Sequence, residues 1–448
     1  MKKTVSFFLL PILFILFSAS LTAQKGYQIR IELEDNRDTV FYLAHYYGDK
    51  FYMADTCIGK KGEALFQGEE PLKQGIYLLA NPKKEKLIEF LIGDEQFFTI
   101  QAGLLSNESG VRIDGSRDNQ SFFDHIQLVN KLQKSLQEND SISAKKLQEA
   151  AQALRENTFL ERPASLVARI FSAMQDPVIP TEIQHDKEAA YHYYRNHFWD
   201  GFQMDDDRLL RSPLLPMKLK TYFEQLIVPD PDTVIMEAER LMSAAKENQE
   251  MTDFLAWHFV SEYQNPKIMG LDKVFIYFVD HYFDTGKVKN LTPSILEKLD
   301  ERVSKMRQSL IGLKAPDMWL IDTIGNYRSF NELTNRFTIL VFWDQTCSHC
   351  KKEMESLNQL YASHKYDLGI YAVNTTNDFE GWKHYLNEKK YPFFHVNGMK
   401  SITPDFHNLY DIYSVPVIYL LDKNKTIIAK KISAEQLENV ILNHQKDR

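Results

Sequence analysis

A strand running straight into a pair of cysteines limits the folds open to this chain more than any other feature. Phe337–Trp343 (FTILVFW) reads as a buried strand. Cys347-Ser348-His349-Cys350 follows at once and opens an amphipathic helical stretch, Ser348–His364. Two sulfurs three residues apart in a first helical turn can close a small disulfide ring. The first sits at the helix N-terminus, where unpaired N–H groups and the macrodipole favour a thiolate. That lowers its pKa into the range of roughly 3.5–7.5 typical of such pairs. The second is less exposed and attacks the mixed disulfide, releasing the partner. A zinc site would need two more ligands, and the only other cysteine is Cys57, with no paired ligand near it. A purely structural disulfide closes too short a loop to stabilise much. No metal and no cofactor is expected.

The flanking pattern alternates. Leu368–Val373 reads as a strand and Asp378–Lys389 as a helix. Val417–Leu421 and Thr426–Lys430 read as strands joined by the turn Asp422-Lys423-Asn424-Lys425, and Ala434–His444 as a closing helix. Residues 311–448 are therefore an α/β domain with a mixed sheet covered by helices. Upstream, residues 24–118 carry short runs with period two, as in Tyr27–Leu33, Val40–Ala44, Ala64–Gln67, Ile76–Ala80, Leu87–Ile92 and Phe97–Ile100. They predict an all-β, sandwich-like domain. Cys57 reads there as a small buried hydrophobe. Asn107-Glu108-Ser109 is a sequon. Residues 119–310 predict an all-α domain, with Phe122, Ile126, Val129, Leu132 and Leu136 at helical spacing. The aromatics of 254–283 read as packing between helices. His192 and His197, five apart, do not share one helical face.

The C-terminal region resembles the thioredoxin fold, and within it the TlpA/ResA-like thiol–disulfide oxidoreductases. The matching residues are Gly312-x-x-Ala315-Pro316-Asp317, Val341-Phe342-Trp343, Cys347-x-x-Cys350-Lys351-Lys352-Glu353 and Tyr413-Ser414-Val415-Pro416. The resemblance implies that Cys347 is the nucleophile, Cys350 the resolving thiol and their bond the redox-active disulfide. It makes Pro416 a cis-proline facing that disulfide, with Val415 offering its backbone to an extended substrate. Trp343, His349 and Glu353 become tuning or substrate-contacting positions. Val341 stands where thioredoxin keeps a buried Asp, which leaves Glu353 as the substitute proton carrier. His349 stands where DsbA-type proteins place an imidazole that stabilises the thiolate, and leans toward oxidation. The domain as a whole resembles the reducing subfamily, so the direction of electron flow stays open. The Ala315-Pro316-Asp317 lead-in is shared with alkyl-hydroperoxide reductases. Their P-x-x-x-[TS]-x-x-C pattern would require Pro and Thr where this chain has Leu340 and Asp344. The upstream regions resemble the β-rich and helical domains of unknown function found in such chains of Bacteroidetes.

Residues 1–23 have the plan of a signal peptide: Lys2 and Lys3, the apolar run Val5–Phe17, then Ser18–Ala23. The mature protein is expected in the periplasm or another extracytoplasmic compartment, touching a membrane only if that segment is retained. A net charge of −8 from 53 basic and 61 acidic residues argues against a broad nucleic-acid footprint. The expected partners are protein thiols or disulfides and an upstream redox donor or acceptor. An alternative function is partner or glycan binding by the first two domains, with the redox domain accessory.

Overall fold

The computed structural model describes residues 25–34, 36–103 and 110–446. The expected leader and the sequon lie outside these residues. The chain divides into two compact units. One runs to Ser172 and includes Arg211–Pro213; the other comprises Ala173–Leu210 and the chain from Leu214 onward.

The first unit is a β-sandwich with helices. Its strands are β1 (Tyr27–Leu33), β2 (Val40–Tyr47), β3 (Lys50–Ile58), β4 (Glu63–Gly68), β5 (Gly75–Ala80), β6 (Lys86–Ile92), β7 (Phe97–Ala102) and β8 (Arg112–Asp114). They form two sheets, ordered β4-β1-β7-β8 and β3-β2-β5-β6. Period-two alternation places Ile29 and Ile31 of β1 inward, opposite Phe66 and Ala64 of β4. Phe41, Leu43, Phe90, Phe98 and Ile100 complete the shared core. Helix α1 (Arg117–Gln137) follows, capped by Ser116. Asn119 pins it to β6, accepting the Leu91 N–H at 2.7 Å and donating to the Leu91 carbonyl at 2.8 Å. Helices α2 (Ser141–Glu161) and α3 (Leu166–Ala173) complete the region. The edge strand β3 leaves Phe51, Tyr52 and Met53 exposed.

The second unit opens with α4 (Lys187–His197), α5 (Leu214–Thr221), α6 (Pro231–Ala245), α7 (Gln249–Tyr263), α8 (Asp272–Phe278) and α9 (Pro293–Arg307). Here the aromatics pack helix on helix, as where Phe259 stacks on Phe278 with ring centres 4.7 Å apart. Next come β9 (Trp319–Asp322), β10 (Tyr327–Ser329), β11 (Phe337–Trp343), α10 (Ser348–Ala362), β12 (Leu368–Asn374), α11 (Phe379–Lys389), β13 (Phe394–Ser401), α12 (Phe406–Tyr410), β14 (Val417–Leu421), β15 (Ile427–Lys430) and α13 (Ala434–Lys446). The strands make one mixed sheet, ordered β10-β9-β13-β12-β11-β14-β15.

Every residue of β11 is buried because both faces of this sheet are covered. Ile339, Val341 and Trp343 pack with Cys350, Met354 and Leu357 on one face. Leu340 and Phe342 pack with Phe406, Tyr410 and Tyr419 on the other. β11 runs parallel to β12 and antiparallel to β14. It therefore delivers the cysteine pair to the carboxyl end of the sheet, where open α/β sheets place their sites. The helical segment is tied to the last strand: Lys430 Nζ donates to Asp272 Oδ2 and, at 2.9 Å, to the Ser309 carbonyl, all out of contact with water.

Candidate active site

Beyond Trp343 the chain makes a side-chain-braced turn. Asp344 Oδ1 accepts the Thr346 N–H at 2.6 Å and the Thr346 hydroxyl at 2.8 Å. Gln345, though polar, points inward. Its Oε1 accepts from Asn374 Nδ2 at 2.7 Å, and Asn397 Nδ2 donates on to Asn374 Oδ1 at 3.2 Å. This buried amide ladder joins the loop to the end of β12 and the middle of β13. Its oxygens are engaged, while Gln345 Nε2 is buried with no partner.

The turn leaves Cys347 as the N-cap of α10, with extended backbone (φ −77°, ψ 124°) and its sulfur accepting the Cys350 N–H at 3.4 Å. A serine or aspartate usually fills this role with oxygen; here sulfur does. The contact lowers the Cys347 thiol below its ordinary range. The Cys350 backbone N–H is the main cause and outweighs partial burial; the Cys350 thiol and the His349 backbone N–H add to it, and Asp344 opposes it. Cys350 is fully buried beneath the helix start. Burial, with the neighbouring Cys347 charge adding to it, pushes its thiol up to about 12. Both cysteines are free thiols. The pair is thus asymmetric: one accessible, easily ionised sulfur, and one covered sulfur that keeps its proton.

The other sequence-predicted positions fall in different places. Trp343 is fully buried and its ring lies 5.6 Å from Tyr385. As the last inward residue of β11 it packs beside Cys350, under the site, a place that fits tuning, of its two expected roles, better than contact with substrate. His349 is exposed, and the part of it that acts on Cys347 is the backbone N–H. Val341 lies in the same apolar cluster as Cys350, with no carboxylate at that position. The Val415–Pro416 bond is cis and both residues are half-buried. Glu353 is half-buried, and its Oε2 accepts the Ala434 N–H at 2.7 Å, at the start of α13. Glu353 and Pro416 line one cleft of about 750 Å³. Asn265 and Arg302, from the helical segment, also line it. Sequence reading missed both, because no local pattern links them to cleft residues 50 or more positions away.

Residues 120–309 match a domain of unknown function (DUF5106), and residues 311–430 match the AhpC/TSA family. The thiol-disulfide oxidoreductase ResA of Bacillus thuringiensis is 28% identical over 137 residues, covering 29% of this chain and 76% of that protein. ResA of Geobacillus kaustophilus is 27% identical over 132 residues, covering 29% and 74%. A solved domain of a possible thiol-disulfide isomerase from Cytophaga hutchinsonii is 38% identical, covering 31% of this chain and 95% of that one, with a TM-score of 0.29. Residues 311–430 thus form a C-terminal AhpC/TSA-family domain, and the curated relatives similar to it are thiol–disulfide oxidoreductases.

Proposed function

We propose that the protein is an extracytoplasmic enzyme exchanging the Cys347–Cys350 dithiol or disulfide with protein substrates. The observation that carries this reading is the split between the two thiols: Cys347 lowered and reachable, Cys350 raised and buried. In the reducing direction the Cys347 thiolate attacks a substrate disulfide. A Cys347–substrate S–S bond forms, and the other substrate sulfur leaves as a thiolate that takes up a proton. Cys350 then loses its proton and attacks Cys347. The intramolecular disulfide closes and the second substrate sulfur leaves. Two electrons have passed to the substrate, and a dithiol donor must return them. Run backwards, the same steps oxidise a substrate dithiol.

The buried, high-pKa Cys350 needs a proton acceptor at the second step, and we assign Glu353 to it. Support comes from its place in the cleft that Pro416 lines. Val415 presents its backbone to the substrate chain beside Pro416. The leader-like residues 1–23 support export; among the described residues no helix is long and apolar enough to cross a membrane. Insulin reduction by a dithiol donor tests the reading. The wild type should accelerate it and Cys347→Ser should not; equal rates would remove the proposed chemistry.

A further inference from the structure

The cleft beside Pro416 is not built by the C-terminal domain alone. Arg302, on α9, lies with its guanidinium 4.2 Å from the Tyr413 ring, three residues before Pro416. Its Nη2 donates to Asn265 Oδ1 at 2.9 Å, and its Nε lies 3.2 Å from Asp411 Oδ1. Lys431, following β15, donates to Asp411 Oδ2 at 3.1 Å while its side chain stays 37% exposed. Asp411 and Lys431 both hold left-handed backbone, φ 54° and 55°, a conformation rarely kept by such residues without a surrounding reason. The Lys430–Asp272 contact fixes the helical segment against the strand that precedes Lys431.

Formally the two cations of the cleft, Arg302 and Lys431, match its two carboxylates, Asp411 and Glu353, but they are not equally exposed to an entering chain. Asp411 is buried between two cations. Glu353 is half-buried and commits one carboxylate oxygen, Oε2, to the Ala434 N–H at the start of α13. What remains to be read is one exposed ammonium, with three donors of which one reaches Asp411, beside a guanidinium that is 13% exposed and held by Asn265, Asp411 and Tyr413.

We infer that Arg302 and Lys431 form a subsite that reads a carboxylate on the substrate chain near its reacting cysteine, so that the helical segment sets substrate preference. The inference rests on the exchange reading and names a substrate class for it. Arg302, braced by Asn265 and Tyr413, orients the carboxylate, and the more exposed Lys431 supplies the charge that faces it.

The test uses the full-length, pre-reduced protein and two synthetic peptides. Each carries one cysteine as a mixed disulfide with 2-thiopyridine, and they differ only in a Glu or a Lys two positions from that cysteine. Release of pyridine-2-thione reports attack. The wild type should favour the Glu peptide by about tenfold in the second-order rate constant of thione release, the size of one partly exposed ion pair gained and one repulsion avoided. The preference should shrink with added salt, and should fall to about twofold or less in Lys431→Met and in Arg302→Gln. Arg302→Gln leaves Asp411 with one cation fewer and risks misfolding, so the exposed Lys431→Met carries the decision. Equal rates for both peptides, or a preference that survives Lys431→Met, overturns the inference while the exchange reading stands. Failure of the wild type to release thione from either peptide overturns both.

Discussion

Cys57 and Cys347 are both half-exposed thiols, yet their surroundings push them in opposite directions. Cys57 lies in the edge strand β3, where partial burial raises its thiol; a Leu65 backbone hydrogen bond opposes this and Asp55 reinforces it. Cys347 caps a helix, and the free N–H groups of the first turn lower its thiol despite partial burial. Exposure alone does not make a reactive cysteine. Burial and backbone decide together: at Cys57 desolvation outweighs the one Leu65 hydrogen bond, whereas at Cys347 the N–H groups of the helix start outweigh the burial.

The largest break between the two follows from deletion. Cys347→Ser should lower disulfide exchange by at least about 1000-fold, since the attacking atom is gone. Cys57→Ser should leave the rate within about twofold, as a change remote from the chemistry. A comparable loss in Cys57→Ser would place the odd thiol in the redox cycle. The next contrast lies inside the pair. Cys350→Ser should accumulate mixed disulfides on Cys347, recoverable from cell extracts by non-reducing electrophoresis, because attack proceeds and resolution does not. Equal trapping by Cys347→Ser would reverse the assigned roles.

The smallest effect separates backbone from side chain at one residue. His349 is the second residue of α10, a position that tolerates proline. His349→Pro removes the N–H that helps to hold the Cys347 thiolate. The Cys347 pKa should rise and the couple become more reducing by about 30 mV, equivalent to about 1.4 kcal/mol. His349→Ala keeps that N–H and should move the potential by less than about 10 mV. Equilibration against glutathione measures both. A shift as large in His349→Ala would return the effect to the imidazole.

The sequence made some of this legible and hid the rest for physical reasons. β11, α10, β12 and β14 were readable because complete burial or one-sided burial writes a clear period into their residues. β13 was not, because Phe394–Ser401 carries Asn397 in the buried amide ladder and Gly398 in its middle. β3 was missed because an edge strand with exposed Phe51, Tyr52 and Met53 shows no alternation. At the site, Cys347 and Cys350 announced themselves by spacing. For Trp343 the sequence left tuning and substrate contact both open, since a period of two cannot say whether the last residue of a strand meets substrate or core. Gln345 was legible only as a polar residue after a strand, with nothing to mark it as buried. Arg302 and Asn265 depend on the docking of a separate helical segment, which local sequence does not encode.

The central claim is that the start of α10 lowers the Cys347 thiol while burial raises Cys350 and Cys57. Alkylation of the reduced wild-type protein with iodoacetamide across a pH series, with each cysteine quantified by mass spectrometry, tests it directly. Only a thiolate reacts, so each rate rises with pH through that thiol's own pKa and then levels off. The account predicts that Cys347 reaches half its maximal rate below the ordinary thiol range, that Cys57 does so above that range, and that Cys350 lags furthest, toward pH 12. A Cys347 midpoint at or above that of Cys57 would contradict it.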